Sequence, residues 1–263
     1  MASILKMFIL GIVQAATEFL PVSSSGHLTV ARTILGTAEN SVLAENWVLF
    51  VVFLHVGTVI AILLVFGKDV LALFSSKRRW IPYLVLASLP AAVVGFSLES
   101  HVKRAFESLL AVGGLLVGNS LILAAGSVAQ RRAASATDPK TRGALVVGLA
   151  QSVAILPGIS RSGSTVCSGL LMGWDRTLAV RFSFLLAIPA IVGATGFEAM
   201  KCRSSLASSE VWAMALTGAL VSAAVGYAAL RLFLTILKRG KLWVFAGYCF
   251  VLGTALVVYK LAA

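Results

Sequence analysis

Long apolar runs, cut by short polar segments, recur from one end of this chain to the other. A helix needs roughly 20 apolar residues to cross the hydrocarbon of a bilayer. Six runs meet that requirement, at residues 47–66, 80–96, 109–129, 178–199, 211–237 and 242–261. Two more, at 4–35 and 144–172, are apolar but broken. Pro21 and the segment Ser23-Ser24-Ser25-Gly26-His27 interrupt the first. Pro157-Gly158 and Ser160-Arg161-Ser162-Gly163-Ser164 interrupt the second. Each break has an apolar arm on either side, which predicts a helix–break–helix that enters and leaves by the same face. Irregular backbone at membrane depth persists only where protein buries it or where it lines a wet cavity.

The two broken runs are alike. Residues 11–27 align without gaps to 148–164, at an offset of 137. Gly11/Gly148, Gln14/Gln151, Ser23/Ser160, Ser25/Ser162 and Gly26/Gly163 are identical. Three spanning runs follow each copy. Internal repeats decide architecture. If both broken runs re-enter, each copy crosses the membrane an odd number of times, which inverts the second copy relative to the first. The fold expected is an all-α integral membrane protein, with six transmembrane helices plus two re-entrant helix hairpins in an inverted-topology repeat. Residues 1–263 form a single polytopic domain, with a first repeat at 1–130 and a second, inverted repeat at 143–263.

Composition excludes the alternatives. Of 263 residues, 59% are hydrophobic and 12% charged, with mean hydropathy +0.97. A soluble domain carries about 25% charge, so a water-soluble globule, a disordered chain and a disulfide scaffold are all ruled out. The net charge is +12. In a soluble protein that would suggest nucleic acid. Here the bases sit mostly between apolar runs, where topology puts them; membrane lipid is the expected surrounding and no nucleic-acid partner is expected. One side collects Lys68, Lys77, Arg78, Arg79, Arg131, Arg132, Lys140, Arg142, Arg176, Lys238, Arg239 and Lys241. The other collects Lys6, Arg32, Lys103, Arg104, Lys201, Arg203 and Lys260. The denser side is expected to be cytoplasmic, which leaves both termini outside. The first hairpin then dips in from outside, the second from the cytoplasm, and their Ser-rich tips meet near the midplane. Single cysteines at Ala134 and Ser100 test this; labelling of Ala134 only from outside would contradict it. Cys167, Cys202 and Cys249 read as small hydrophobes. The N-terminus does not read as a cleaved signal, because Gln14 and Glu18 interrupt its apolar run and no A-x-A site follows.

Most acids, Glu39, Glu45, Asp69, Glu99, Glu107, Asp138, Asp175, Glu198 and Glu210, fall in loops or at helix ends. Glu18 alone lies inside an apolar arm beside a break, and Arg161 is the one base at the tip of a broken run. An ionisable group within the membrane marks a functional site by default; the plainer alternative is an ion pair tying the two hairpins together. Gln14 and Glu18 share a helix face at i and i+4; oxygen ligands of this kind suit a hard divalent cation, but on spacing alone a polar helix contact is the plainer reading. The run from Pro21 to His27 supplies hydroxyls, backbone N–H groups and an imidazole, and Ser23 or Ser24 can cap the helix that follows. A helix N-terminus preceded by Gly and Ser is an anion site. The second break repeats the design with a guanidinium, which matches phosphate oxygens bidentately. Two such half-sites facing each other surround a phosphoryl group, with His27 or Glu18 as base and a serine as nucleophile. His55, mid-way along the first spanning run, reads as a core histidine, and His101 as a loop residue. Most Trp and Tyr, including Trp47, Trp80, Trp212, Trp243 and Tyr259, fall at span ends as interface anchors.

The segments Gln14-x-x-x-Glu18-Phe-Leu-Pro-Val-Ser-Ser-Ser-Gly-His27 and Pro157-Gly-Ile-Ser-Arg-Ser-Gly-Ser-Thr165 resemble the motifs of the bacitracin-resistance (BacA) family of undecaprenyl-diphosphate phosphatases. That family's patterns are (Glu/Gln)-x-x-x-Glu and Pro-Gly-x-Ser-Arg-Ser-x-x-Thr, and the number of apolar runs fits along the whole chain. The resemblance implies a bacterial inner-membrane phosphoric anhydride hydrolase that removes the terminal phosphate of undecaprenyl diphosphate. Such an enzyme recycles the lipid carrier of cell-wall synthesis and confers bacitracin resistance. The resemblance also implies a divalent cation, Mg²⁺ or Ca²⁺, and an active site open to the outer face. By position, Gln14 and Glu18 would hold the cation, or Glu18 would act as base; Ser24 would be the nucleophile unless water attacks directly. His27 would assist proton transfer. Arg161 would act on the diphosphate, with Ser23, Ser25, Gly26, Gly158, Ser160, Ser162 and Thr165 as binding groups. Gln14 stands where many members carry Glu, and Ala15 where Gly is common, which weakens any role that needs two carboxylates. The competing class is a polyprenyl-phosphate transporter or flippase, an architecture that also uses inverted repeats and broken helices. A transporter needs Arg161 but has less use for Glu18, Ser24 and His27 together.

Overall fold

A computed structural model describes residues 2–36, 46–132, 136–201 and 209–262. Glu39, Glu45, Ala134, Cys202 and Arg203 lie outside the described residues. The chain forms α1 (Ala2–Phe19), α2 (Ser24–Ile34), α3 (Trp47–Ala72), α4 (Ile81–Ser97), α5 (Glu99–Glu107), α6 (Leu109–Ala129), α7 (Thr141–Val153), α8 (Arg161–Leu171), α9 (Arg176–Lys201), α10 (Ser209–Lys238) and α11 (Leu242–Ala262). A 3₁₀ turn, Arg78–Trp80, leads into α4. Among the described residues, six helices are long and apolar enough to cross a membrane: α3, α4 with its leading turn, α6, α9, α10 and α11. All fall on the expected runs. Apart from α6, which matches its run, they reach further because the charged residues that stop an apolar count do not stop a helix. Thus α3 continues past a bend at Phe66 (φ −110°, ψ 15°) to Ala72.

One helix was not foreseen. The segment Glu99–Glu107 has too few apolar residues to span, yet forms the amphipathic α5. His101, expected in a loop, lies on it. The two broken runs become the helix pairs α1/α2 and α7/α8, with breaks at residues 20–23 and 154–160.

Helix contacts come in matched sets. α3 packs on α10 as α9 packs on α4, and α1 packs on α10 as α7 packs on α4. α3 also meets α9, and α6 meets α11. Small residues permit the close crossings, as they do between helices in lipid. At the α6–α11 crossing, a Cβ on Gly253 would lie 2.7 Å from the Gly113 carbonyl oxygen. At α3–α10, a Cβ on Gly57 would lie within 3 Å of the Ala219 carbonyl. The gap between α4 and α9 is wider: Gly95 of α4 would meet only Ile155, at 3.8 Å, and Gly193 of α9 would meet nothing within 4 Å.

A buried aromatic column, Phe66–Phe184–Phe233–Phe245, joins α3, α9, α10 and α11, and Phe19 of α1 packs on Phe184. The connections at one end are tied together by charge. Asp69 pairs with Lys77 (2.6 Å) and Arg181 (3.3 Å), Arg79 pairs with Asp138 (2.7 Å), and Arg176 donates to the carbonyls of Gln130 and Lys238. At the other end, Lys201 pairs with Glu99 (2.9 Å) and Glu198 (3.3 Å). Cys167 and Cys249 are buried free thiols.

Candidate active site

The site begins where α1 and α7 end. Beyond α1 the chain turns back through Ser23, which takes φ +71°, a left-handed conformation unfavourable for a residue with a Cβ. Such strain persists only where the surroundings hold it. Here the Ser23 hydroxyl caps α2, accepting from the Gly26 N–H at 3.3 Å, and it accepts again from the Gly158 N–H of the second break at 3.0 Å. Ser160 caps α8 in the same way, accepting from Gly163 N–H at 3.1 Å, but with ordinary extended backbone (φ −82°).

The two tips touch. A Cβ on Gly26 would sit 3.4 Å from the Gly158 Cα, and one on Gly158 (φ +113°) would lie 2.7 Å from the Val112 carbonyl oxygen of α6. Only glycine fits at that second position. Asn119 of α6, fully buried, reaches both breaks: its amide donates to the Pro21 carbonyl and its oxygen accepts from the Ser160 N–H, each at 3.0 Å.

Glu18 lies at the centre of this frame, 9% exposed. Its Oε1 accepts from Arg161 Nη2 at 2.6 Å. Its Oε2 accepts from the Ser24 hydroxyl at 2.6 Å and, more weakly, from the Gln14 amide at 3.4 Å. His55 Nε2 of α3 stands 3.7 Å from the same oxygen. A carboxylate taken out of water is tolerated only with such company. The ion pair between hairpins is therefore real, and it also faces open space. Glu18, Ser23, Ser24, Ser25, His55, Ser160 and Arg161 line one end of a cavity of about 680 Å³. Its other walls come from α3, α4, α5, α7 and α9 and are mainly apolar, with Ser88, Glu99, Gln151, Thr195 and Glu198 among the lining residues.

The remaining candidates separate. Gln14 is buried behind Glu18, with its oxygen accepting from Ser222 of α10 at 3.1 Å. Gly26 and Gly158 form the contact between tips. Ser162 hydrogen-bonds Ser160 at 3.1 Å, and Thr165 bonds the Arg161 carbonyl (2.7 Å) and Ser183 (2.6 Å), so both hold the first turn of α8. His27 does not reach Glu18. Its ring nitrogens are engaged by the Ser23 carbonyl at 2.8 Å and the Tyr248 hydroxyl of α11 at 2.7 Å, and the ring stacks on Tyr248.

His55, read as core, is instead a neighbour of Glu18; the polar tip of an otherwise apolar helix was the available signal. Asn119 was missed for want of any motif, although an amide in a spanning helix is itself a cue.

Among the described residues, no three His, Cys, Asp or Glu side chains converge. At the Glu18 end of the cavity the oxygen donors are the Glu18 carboxylate and the hydroxyls of Ser23, Ser24, Ser25 and Ser160. One carboxylate with hydroxyls fits a hard cation that keeps waters and is held mainly by substrate phosphates. It does not make a closed protein cage.

Comparison with known proteins agrees with this chemistry. The family model described as bacitracin resistance protein BacA matches residues 7–255. The undecaprenyl-diphosphatase of Halothermothrix orenii is 38% identical over 258 residues, covering 97% of each chain. That of Rhodopirellula baltica is 38% identical over 262 residues, covering 99% of this chain and all of its own. That of Christiangramia forsetii is 37% identical over 268 residues, covering 98% and 99%. With a motif-bearing site at its centre and family likeness along nearly its whole length, the chain belongs to the BacA family of bacitracin resistance proteins.

Proposed function

We propose that this chain is an undecaprenyl-diphosphate phosphatase, which hydrolyses undecaprenyl diphosphate to undecaprenyl phosphate and inorganic phosphate. Its product is the lipid carrier of cell-wall synthesis, and the family's bacitracin resistance follows from that recycling. The observation that carries the reading is the Ser24–Glu18–Arg161 chain at the polar end of an apolar cavity. A diphosphate head belongs at the polar end and an isoprenyl tail against the apolar walls.

The serine hydroxyl already donates to a carboxylate, the arrangement of a nucleophile with its base. Ser24 Oγ attacks the terminal phosphorus and its proton passes to Glu18. The bond from phosphorus to the bridging oxygen breaks, and the lipid monophosphate leaves with that electron pair. Glu18 passes that proton to the leaving lipid phosphate and is a base again. Water then attacks the phosphoserine phosphorus as Glu18 takes its proton, the P–Oγ bond breaks, Ser24 Oγ recovers the proton from Glu18, and inorganic phosphate departs. Arg161 holds Glu18 through Nη2 and offers Nη1 to the phosphate oxygens, where charge must be balanced. Glu18 and the neighbouring hydroxyls would hold a divalent cation, Mg²⁺ or Ca²⁺, which would supply further charge neutralisation. Gln14 orients Glu18 from behind. His55 tunes the same carboxylate, while His27 fastens α2 to α11.

We place the protein in the bacterial inner membrane, with both termini outside and the cavity open to the outer face. The charge-tied connections at one end of the bundle support that placement. The matched helix contacts support reading α1/α2 and α7/α8 as re-entrant hairpins of an inverted repeat. An impermeant thiol reagent is expected to label a cysteine at Ser100 from outside, and one at Arg132 only after permeabilisation. For the activity, purified protein in detergent with undecaprenyl diphosphate and Mg²⁺ or Ca²⁺ is expected to release phosphate. No release, with lipid movement in liposomes instead, would favour a carrier.

A further inference from the structure

The two hairpins place a glutamine at the same point of their incoming arms, Gln14 and Gln151. Their surroundings differ. Gln14 has both ends of its amide engaged, by Ser222 and by Glu18 four residues on. Gln151 has Ile155 four residues on, which offers no partner. Its side chain is 2% exposed, and neither its amide nitrogen nor its amide oxygen has a hydrogen-bond partner among the described residues. A buried amide left in this state calls for an explanation in a ligand. Gln151 borders the cavity that Glu18, Ser24, Ser160 and Arg161 line. Arg161 repeats the pattern: Nη2 is spent on Glu18, while Nη1 is buried and unpartnered. Two unused donor groups thus flank one pocket, both on the second hairpin.

We propose that Gln151 is a substrate-binding residue whose carboxamide donates to a non-bridging oxygen of the phosphate that stays on the lipid. The inference rests on the hydrolase reading above. Ser24, on the first hairpin, must face the terminal phosphorus. The second phosphate then falls toward the other hairpin, where Arg161 Nη1 and Gln151 stand unpaired. Gln151 holds the ground state and the transition state alike, because the lipid phosphate is bound in both. Its loss therefore acts on affinity more than on turnover.

The test uses the full chain in detergent and the variant Q151L, which keeps the bulk and removes the donor. Without ligand, its melting temperature is expected to equal or exceed that of the wild type, since an unpartnered buried amide has gone. With undecaprenyl diphosphate, KM is expected to rise about tenfold or more, while kcat stays within about threefold. A non-hydrolysable isoprenyl methylene-bisphosphonate is expected to stabilise the wild type against heat, and Q151L correspondingly less. An unchanged KM and bisphosphonate response, a loss confined to kcat, or a lower ligand-free melting temperature would each overturn the proposal. If the wild type binds the bisphosphonate but releases no phosphate, the hydrolase reading fails on its own. The bisphosphonate response of Q151L then still decides for or against Gln151 as a phosphate-binding residue.

Discussion

The hairpins α1/α2 and α7/α8 are built on one plan and carry opposite chemistry. In each, a capping serine accepts from the N–H three residues on and lies beside a second serine hydroxyl, at 3.2 Å in the first (Ser23–Ser25) and 3.1 Å in the second (Ser160–Ser162). The frame is therefore the same. Equivalent positions then hold Glu18 against Ile155, Ser24 against Arg161 and His27 against Ser164. The first hairpin carries the carboxylate and the serine hydroxyl that donates to it, and the second supplies the guanidinium. The lesson is that two frames with the same hydrogen bonds come to differ in chemistry through a few side chains. Those side chains act only because the tips meet. The strained backbone belongs to one hairpin alone: Ser23 holds φ +71° so that its hydroxyl can reach Gly158 of the other.

The largest effect is expected from breaking the pair that joins the two. R161A should abolish phosphate release and should cost about 3–5 kcal/mol of stability, because Glu18 is left buried without its partner. Thermal unfolding beside the phosphate assay checks both. The neutral pair E18Q/R161M sharpens the point: most of the stability should return and none of the activity. Recovery of turnover would reduce the pair to structural glue.

Next, S24A removes the hydroxyl that the first hairpin contributes, and turnover should fall on the order of 10³-fold or more if serine is the nucleophile. A mild loss would hand the attack to water. Chelation of divalent cations with EDTA should stop phosphate release, and added Mg²⁺ or Ca²⁺ should restore it, since Arg161, already paired with Glu18, cannot alone balance a diphosphate.

H55A should lower kcat/KM by roughly 10–100-fold, through the disturbed Glu18 carboxylate. That expectation reverses the reading of His55 as a core residue. The smallest effect belongs to H27A. It should cost about 1 kcal/mol for the lost bonds to Ser23 and Tyr248 and leave turnover within about tenfold. A collapse of activity with unchanged stability would return His27 to the chemistry.

Much of this was readable from the residues in order. The six spanning runs, the two breaks and the likeness between them are local patterns, and hydrophobic length alone decides what can cross a bilayer. Glu18 and Arg161 stood out because a charge costs so much among apolar neighbours that few reasons can retain it. The amphipathic α5 escaped for the opposite reason: Val102 and Phe106 are interleaved with charged residues, so its segment has no long apolar run to count.

Through-space partnership was not readable. The order of residues nominated His27, which lies in the first break, and left His55 to the core. Only packing turned His55 of α3 toward Glu18 and bound His27 to Tyr248, which follows it by 221 residues. Asn119 joins both breaks from a helix that neither motif includes. By itself the sequence determined the solvent, the helices and the types of reactive group, because those depend on each residue's own transfer energy. The tertiary structure alone decided which groups share a proton or a charge, because such bonds act over about 3 Å and are set by how helices cross.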